Sequence, residues 1–242
     1  MTLSKAVATH LAQKHGLHEV VGSLIDASLY RMIVGSLQYL TLTRLDITHA
    51  VNLASQFMQS PNTEHLQGVK RRYIKGTLHF GLKIITQSPY RLYGSSDADW
   101  GGCTTTRRST TGYSIYLGAN CISWTSKKQT TVARSNDEAE YRALASTAAE
   151  MTWILYLLHD LGVFLRSIPT LYCDNMSALY MTVNPVMHAR TKHVKMDYHF
   201  VFSGFRSKLG VTVPPLTSLR GNVKGSLKTD GTCRRNRFIE AG

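Results

Sequence analysis

The stretch RLYGSSDADWGGCTTTRRSTTGYSIYLGANCISWTS, residues 91–126, decides the fold class of this chain. Its segments are short, rich in β-branched and aromatic residues, and separated by Gly, Asn and Ser, which is typical of strands joined by tight turns. Tyr113, Ile115 and Leu117 alternate with other residues as in a half-buried strand. The sequence therefore predicts an antiparallel three-strand meander, with one more strand before it. The strand-like segments are LHFGLKIIT (78–86), RLYGSSD (91–97), TGYSIYLGA (111–119) and CISWTS (121–126).

A long helix is predicted after these strands. Ser135 and Glu138 fit a capping box, in which the serine accepts a first-turn amide and the glutamate bonds back to the cap amide. TLYCD (170–174) then predicts a short buried strand and NMSALYMT (175–182) a helix. Because a helical crossover precedes this last strand, we expect it to run parallel to its neighbour. The helix carries a core-facing stripe at spacings of three and four: Leu144, Ala148, Met151, Leu155, Leu158 and Leu161.

The pattern divides the chain into three parts. Residues 1–85 are predicted to be helical, with a break at Ser60-Pro61-Asn62 and a helix over 63–75. Residues 86–215 form the predicted α/β domain, a mixed sheet flanked by helices. Residues 216–242 are rich in Gly, Lys, Arg, Ser and Thr with little periodicity, which predicts a disordered basic tail.

The charge balance is strongly basic. Lys and Arg number 28 against 15 Asp and Glu, which gives a net charge of +13. Neutralising phosphates releases counterions, so nucleic acid is the first candidate partner. The alternative is that the charge serves only solubility.

Cysteine usage and hydropathy bear on the compartment. The four cysteines are widely spaced without a C-x-x-C pair, which supports neither a disulfide framework nor a zinc site. The N-terminal residues lack the apolar core of a signal peptide, and the most apolar stretch, 151–165, is too short to span a bilayer. We therefore expect an intracellular protein that is not secreted and has no membrane partner.

Three acidic residues stand at the ends of predicted elements. Asp97 closes the first strand of the meander, Glu140 lies in the first turn of the long helix, and Asp174 closes the last strand. Strand ends at one sheet edge are where ligands gather. Carboxylates suit Mg²⁺, and two such ions about 3.5 to 4 Å apart can act on a phosphodiester. Taken singly, each acid is more typical of a turn or a helix cap.

Several of these motifs together resemble the ribonuclease H region of copia-type LTR retrotransposon Pol polyproteins. The resemblance covers most of residues 92–200, and residues 30–82 look like the tail of the reverse transcriptase segment that precedes the nuclease. The paired-aspartate motif of a polymerase is not present, so DNA synthesis is not implied. The matching motifs are SDAD (96–99), RRST (107–110), EAEYRA (138–143), YCDN (172–175) and RTKH (190–193).

The resemblance implies a ribonuclease H-like fold and metal-dependent endonucleolytic hydrolysis of the RNA strand of RNA:DNA hybrids. It implies two Mg²⁺ ions, with Mn²⁺ as a substitute, held by Asp97, Glu140 and Asp174, which are also the catalytic residues. It implies action in the cytoplasm, within a virus-like particle, or in the nucleus. Asp99 and Glu138 take supporting or capping roles, and Trp124 is expected in the core. The residues expected to contact substrate are Arg107, Arg108, Ser109, Asn175 and His193.

The end of the chain departs from the family pattern. The family continues after the YHF element with an Ala-Asp-Ile-like motif followed by Thr-Lys, whose aspartate completes the metal site, and 201–242 contains no such motif. Asp197 and Asp230 do not lie in that context. The alternative is therefore a catalytically impaired remnant that only binds nucleic acid through its basic surface. An integrase or transposase ranks lower, because those enzymes place their glutamate last.

Overall fold

The computed structural model describes residues 22–69, Thr77 and residues 80–183. They form two compact units, which divide between Leu82 and Lys83. The predicted substrate residue His193 and the predicted tail over 216–242 lie outside the described residues, as does the basic stretch 70–76. The domain boundaries at 85/86 and 215/216 stay predictions.

The first unit is helical, as predicted. Its core contains the buried side chains of Tyr30, Val34 and Ala54, and the Tyr30 hydroxyl donates to the Ala54 carbonyl at 2.9 Å. The helix predicted over 63–75 is shorter in the described residues, because it ends at Gly68. The elements are α1 (Ala27–Leu40), a 3-10 turn (Leu45–Ile47), α2 (Thr48–Ser55) and α3 (Thr63–Gly68).

The second unit is built on a four-stranded mixed sheet with the strand order β3-β2-β1-β4. β1 pairs antiparallel with β2, β2 pairs antiparallel with β3, and β1 pairs parallel with β4. The predicted α/β fold class, a ribonuclease H-like mixed sheet of a three-strand antiparallel meander plus parallel strands, is confirmed, and among the described residues the parallel part of the sheet is β4 beside β1. The strands are β1 (Leu92–Asp99), β2 (Thr110–Leu117), β3 (Asn120–Lys128) and β4 (Thr170–Tyr172).

Helix α4 (Asn136–Asp160) packs on one face of this sheet, and α5 (Met176–Val183) follows β4. Gly94 marks a close approach of α4 to β1, because a Cβ there would lie 2.8 Å from the Met151 sulfur. The glycine thus lets α4 lie directly on β1. The fully buried side chains of this core include Leu92, Ile115, Leu144, Met151 and Leu171.

The strand predicted over 78–86 is wrong for the residues that the structure describes. Residues 80–85 belong to no strand. The Asn120 side chain satisfies both backbone groups of Ile85, accepting its N–H at 2.7 Å and donating to its carbonyl at 2.9 Å. A side chain therefore takes the place of the neighbouring strand that the prediction required.

Two details of the predicted α4 also need correction. Leu161 is 68% exposed, because the helix ends at Asp160 and Leu161 is its C-cap, while Ile154 is buried instead. Ser135 caps the helix by accepting the Glu138 N–H at 3.2 Å, but the Glu138 carboxylate accepts from the Arg134 amide rather than from the cap amide. The stripe was otherwise placed correctly.

Three further expectations concern single side chains and membrane crossing. Trp124, expected in the core, is only half-buried in β3. Cys103, Cys121 and Cys173 are free thiols, so these three form no disulfide with one another. Among the described residues, no helix combines the length and the apolar character that crossing a bilayer demands.

Candidate metal centre and nucleic-acid site

The three acids singled out in the sequence lie together. Asp97 lies near the end of β1, Glu140 is the fifth residue of α4, and Asp174 follows β4 by two residues. Because β1 and β4 are parallel neighbours, their carboxyl ends meet at one sheet edge. One carboxylate oxygen from each acid lies within 4.8 Å of the others.

Small side chains bring α4 close enough to place Glu140 there. Ala98, Ala133, Ala139 and Ala143 form a separate buried cluster between β1, the loop before α4 and the first turns of α4. Ala98 follows Asp97 and Ala139 precedes Glu140, so the cluster packs directly beside two of the acids. Larger side chains at these positions would push the helix and its carboxylate away from the strand.

Asn175 fixes the third acid. Its side-chain amide donates to the Asp137 carboxylate in the first turn of α4, at 2.9 Å, and its oxygen accepts the Ala178 N–H at 2.9 Å as the cap of α5. These bonds connect the segment that carries Asp174 to the helix that carries Glu140. The sequence predicted a substrate contact for Asn175, and the structure places its amide in this internal bridge.

Burial and mutual repulsion disfavour negative charge in the cluster. The pKa of Glu140 is raised to about 8, first by burial and then by the charges of Asp97 and Asp174. The pKa of Asp97 is raised to about 6, again first by burial and then by Asp174. The Ala98 backbone amide donates to both carboxylates and partly opposes these increases. Among residues 22–69, 77 and 80–183, the positive charge near the cluster is therefore too small to offset these increases.

The residues fit a hard divalent cation. Glu140 is 5% exposed, and its Oε2 atom is buried without a hydrogen-bond partner among residues 22–69, 77 and 80–183. A buried carboxylate oxygen without a donor is costly unless a cation or water meets it. Three oxygen ligands from three elements are the donor type that Mg²⁺ takes.

The two other acids near the cluster have separate surroundings. Glu138 forms a 2.6 Å ion pair with Arg142, one turn along α4. Asp99 lies against Gly102, where any Cβ would overlap its carboxylate, and burial raises its pKa. Neither belongs to the group of three acids whose oxygens converge, and their expected supporting or capping roles stay predictions.

The predicted substrate residues of the RRST motif lie in the β1–β2 loop and differ in accessibility. Arg107 and Arg108 are exposed, and Arg107 has a left-handed backbone with a φ of 54°. Ser109 is fully buried and its hydroxyl accepts the Gly101 N–H at 3.1 Å. The arginines can therefore reach a ligand, whereas Ser109 stabilises the loop that carries them.

Sequence reasoning missed Asp137 and the alanine cluster. Asp137 follows the cap residue Ser135 by two positions. An acid in the first turn of a helix indicates only a favourable interaction of its carboxylate with the helix dipole. The alanines carry no chemistry, and their signal was small size at positions next to Asp97 and Glu140. These residues act by placing the acids.

No family model matches the chain. It is 49% identical over 204 residues to the retrovirus-related Pol polyprotein from transposon RE1 of Arabidopsis thaliana, which covers 83% of this chain and 14% of that protein. The corresponding polyprotein from transposon RE2 of the same plant is 47% identical with the same coverage. The chain thus spans about one seventh of the length of these relatives.

Among solved structures, ribonuclease H1 from the archaeon Halobacterium salinarum NRC-1 is similar at 13% sequence identity. The match covers 53% of this chain and 88% of that one, with a TM-score of 0.34. Because this TM-score is below 0.5, we take the fold from the strand order and connections described above. On the strength of the sequence matches, the chain is homologous to one segment of the retrovirus-related Pol polyproteins of copia-type transposons.

Proposed function

We propose that this chain is a ribonuclease H, which hydrolyses the RNA strand of RNA:DNA hybrids with divalent metal ions, Mg²⁺ by preference and Mn²⁺ as a substitute. The observation that carries the proposal is the convergence of Asp97, Glu140 and Asp174 within 4.8 Å. The Glu140 oxygen that has no hydrogen-bond partner among the described residues and the raised pKa values of Glu140 and Asp97 support it, since a bound cation would stabilise both carboxylates.

Each side chain has a defined part in this proposal. Asp97, Glu140 and Asp174 would hold two metal ions, which when bound supply positive charge beside the scissile phosphate. Arg107 and Arg108, exposed on the β1–β2 loop, would contact the phosphate backbone. The choice of RNA would come from contacts to 2′-hydroxyls in the shallow minor groove rather than from reading bases.

A second candidate is a remnant that binds nucleic acid without cleaving it. Within residues 22–69, 77 and 80–183, the converging group contains three acids, whereas the resemblance implies a fourth. The net charge of +13 would still support binding that weakens steeply with salt. We place either activity inside the cell, in a cytoplasmic virus-like particle or in the nucleus.

The deciding experiment incubates the full chain with a hybrid labelled on the RNA strand, with Mg²⁺ or with EDTA. We expect cleavage within the RNA strand that requires Mg²⁺ and is lost in Asp97→Asn. A DNA duplex of the same sequence should remain intact, because it has no 2′-hydroxyl.

The matched control is Glu150→Gln, which removes an acid from the same helix α4. Glu150 lies outside the cluster and accepts the Ser123 hydroxyl at 2.9 Å, so this variant should cleave like the natural chain. Salt-sensitive binding of the hybrid with no more cleavage than Asp97→Asn would reject the nuclease and support the remnant.

A further inference from the structure

Trp100 is a large, exposed aromatic residue close in sequence to Asp97 of the acidic cluster. It follows β1 directly, three residues after Asp97, and is 52% exposed. Its indole N–H donates to the Ala133 carbonyl at 3.2 Å. Because this bond uses the only polar atom of the side chain, the surface that remains in solvent is an apolar ring.

The partner of that hydrogen bond lies beside the site. Ala133 is 4% exposed and packs in the same buried cluster as Ala98 and Ala139, which adjoin Asp97 and Glu140 along the chain. Trp100 is therefore anchored to the same packed group that places two of the acids. This hydrogen bond restricts the ring, so less conformational entropy is left to lose on binding.

The loops around Trp100 carry exposed positive charge. Arg107 places its guanidinium 3.6 Å from the position that a Cβ on Gly101 would occupy, one residue from Trp100. Arg108 on the same loop and Arg134, next to Ala133, are exposed as well. An exposed neutral ring on loops that also carry exposed cationic side chains suits a polyanion that offers apolar rings, which is the chemistry of a nucleic-acid strand.

We propose that Trp100 packs its ring against a sugar or base of the nucleic-acid strand at the metal centre, and so fixes the strand beside the three acids. This proposal rests on the proposed function for one point, namely that the ligand is a nucleic acid. It requires that the chain bind the nucleic acid, and it does not require cleavage. Trp100 would be a substrate-binding residue, with the arginines holding the adjoining phosphates.

The test measures hybrid affinity by fluorescence anisotropy in the Asp97→Asn background, so that cleavage does not interfere. We expect Trp100→Ala to weaken binding roughly tenfold, or about 1.4 kcal/mol, since the variant loses one aromatic ring that stacks on the ligand. Trp100→Phe keeps a ring but loses the N–H, and should stay within about threefold of the parent. The control is Trp153→Ala, because Trp153 is 59% exposed on α4 and should leave the affinity unchanged.

A purely structural role would give a different result. If the bond to Ala133 were the whole function of Trp100, the Phe and Ala variants would lose affinity equally, and the proposal would be overturned. Unchanged affinity in Trp100→Ala would overturn it as well. Should the Ala variant fail to fold, tryptophan emission decides, because hybrid should quench the parent more than Trp100→Phe, and equal quenching would reject the contact.

The outcomes separate this inference from the proposed function. If Trp100 contributes to hybrid binding but the natural chain, with Asp97 intact, does not cleave the hybrid, the nuclease is rejected and the contact is kept. Normal cleavage and an unchanged KM in Trp100→Ala would keep the nuclease and reject the contact.

Discussion

Replacing Glu140 by Gln should stabilise the metal-free protein at alkaline pH. The pKa of Glu140 is raised from 4.5 to about 8, so the folded state holds a proton that the unfolded chain releases. This contribution to stability is complete at pH values below 4.5 and is lost as the pH rises toward 8. Glutamine carries no proton to lose, so its contribution does not fall over this range.

The size of the effect follows from the shift. At about 1.4 kcal/mol per pKa unit, the shift from 4.5 to about 8 means that ionising Glu140 costs the folded protein on the order of 5 kcal/mol above pH 8. The buried amide of glutamine offsets part of this gain, because it has unmade hydrogen bonds of its own. We therefore expect Glu140→Gln to be about 2 to 4 kcal/mol more stable than the natural chain near pH 8.5, and within about 1 kcal/mol of it near pH 5.

The assay is urea unfolding of the full chain in EDTA at both pH values, followed by circular dichroism. Mg²⁺ is then added in excess. A ligand that binds only the folded state raises the free energy of unfolding by about 2.7 kcal/mol when its concentration is a hundred times its dissociation constant. The natural chain should respond to Mg²⁺ and Glu140→Gln should respond much less. Glu150→Gln, from the same helix, should follow the natural chain in every condition. An alkaline gain of equal size in both glutamine variants, or none in either, would refute the reasoning.

Two further changes test the packing that places the acids. Gly94→Ala should lower the free energy of unfolding by about 1 to 3 kcal/mol in urea titrations, because its Cβ would lie 2.8 Å from the Met151 sulfur. The control is Gly35→Ala on α1, where an added Cβ has no neighbour within 4 Å. Unchanged stability in Gly94→Ala would contradict the close packing of α4 on β1. Asn175→Ala should weaken Mg²⁺ binding, measured by calorimetry, because the bridge to Asp137 is lost; an unchanged affinity would show that Asp174 is placed without it.

Local sequence patterns predicted the elements well where one physical cause dominated. Alternation within residues 111–117 predicted β2, and Ser135 marked the start of α4, since both signals depend on near neighbours in the chain. The segment 78–86 has the composition of a strand. Composition does not reveal that the Asn120 side chain forms hydrogen bonds with both backbone groups of Ile85. A local sequence pattern cannot predict a hydrogen bond to a side chain that is distant in the sequence.

The site required information that spacing alone does not contain. Asp97, Glu140 and Asp174 are each compatible with an ordinary turn or cap, and the resemblance selected them together. The bonds of Asn175 could not be predicted, because the residue's neighbours in the sequence do not include Asp137. Ser109 was expected to contact substrate because it belongs to the RRST motif, whereas the fold buries it. Its burial also depends on residues that are not its neighbours in the sequence.

The geometry makes the acidic site a source of instability that the rest of the second unit must offset. Glu140 and Asp97 both have raised pKa values, so at neutral pH their environment opposes the charge that a cation requires. The alanine cluster and the capped start of α4 hold the carboxylates in place despite this repulsion. Divalent cation should therefore bind more tightly as the pH rises from 6 to 8, since fewer protons must leave. A Mg²⁺ affinity that is the same at both pH values, measured by calorimetry in two buffers of different ionisation enthalpy, would show that the ion does not meet these two carboxylates.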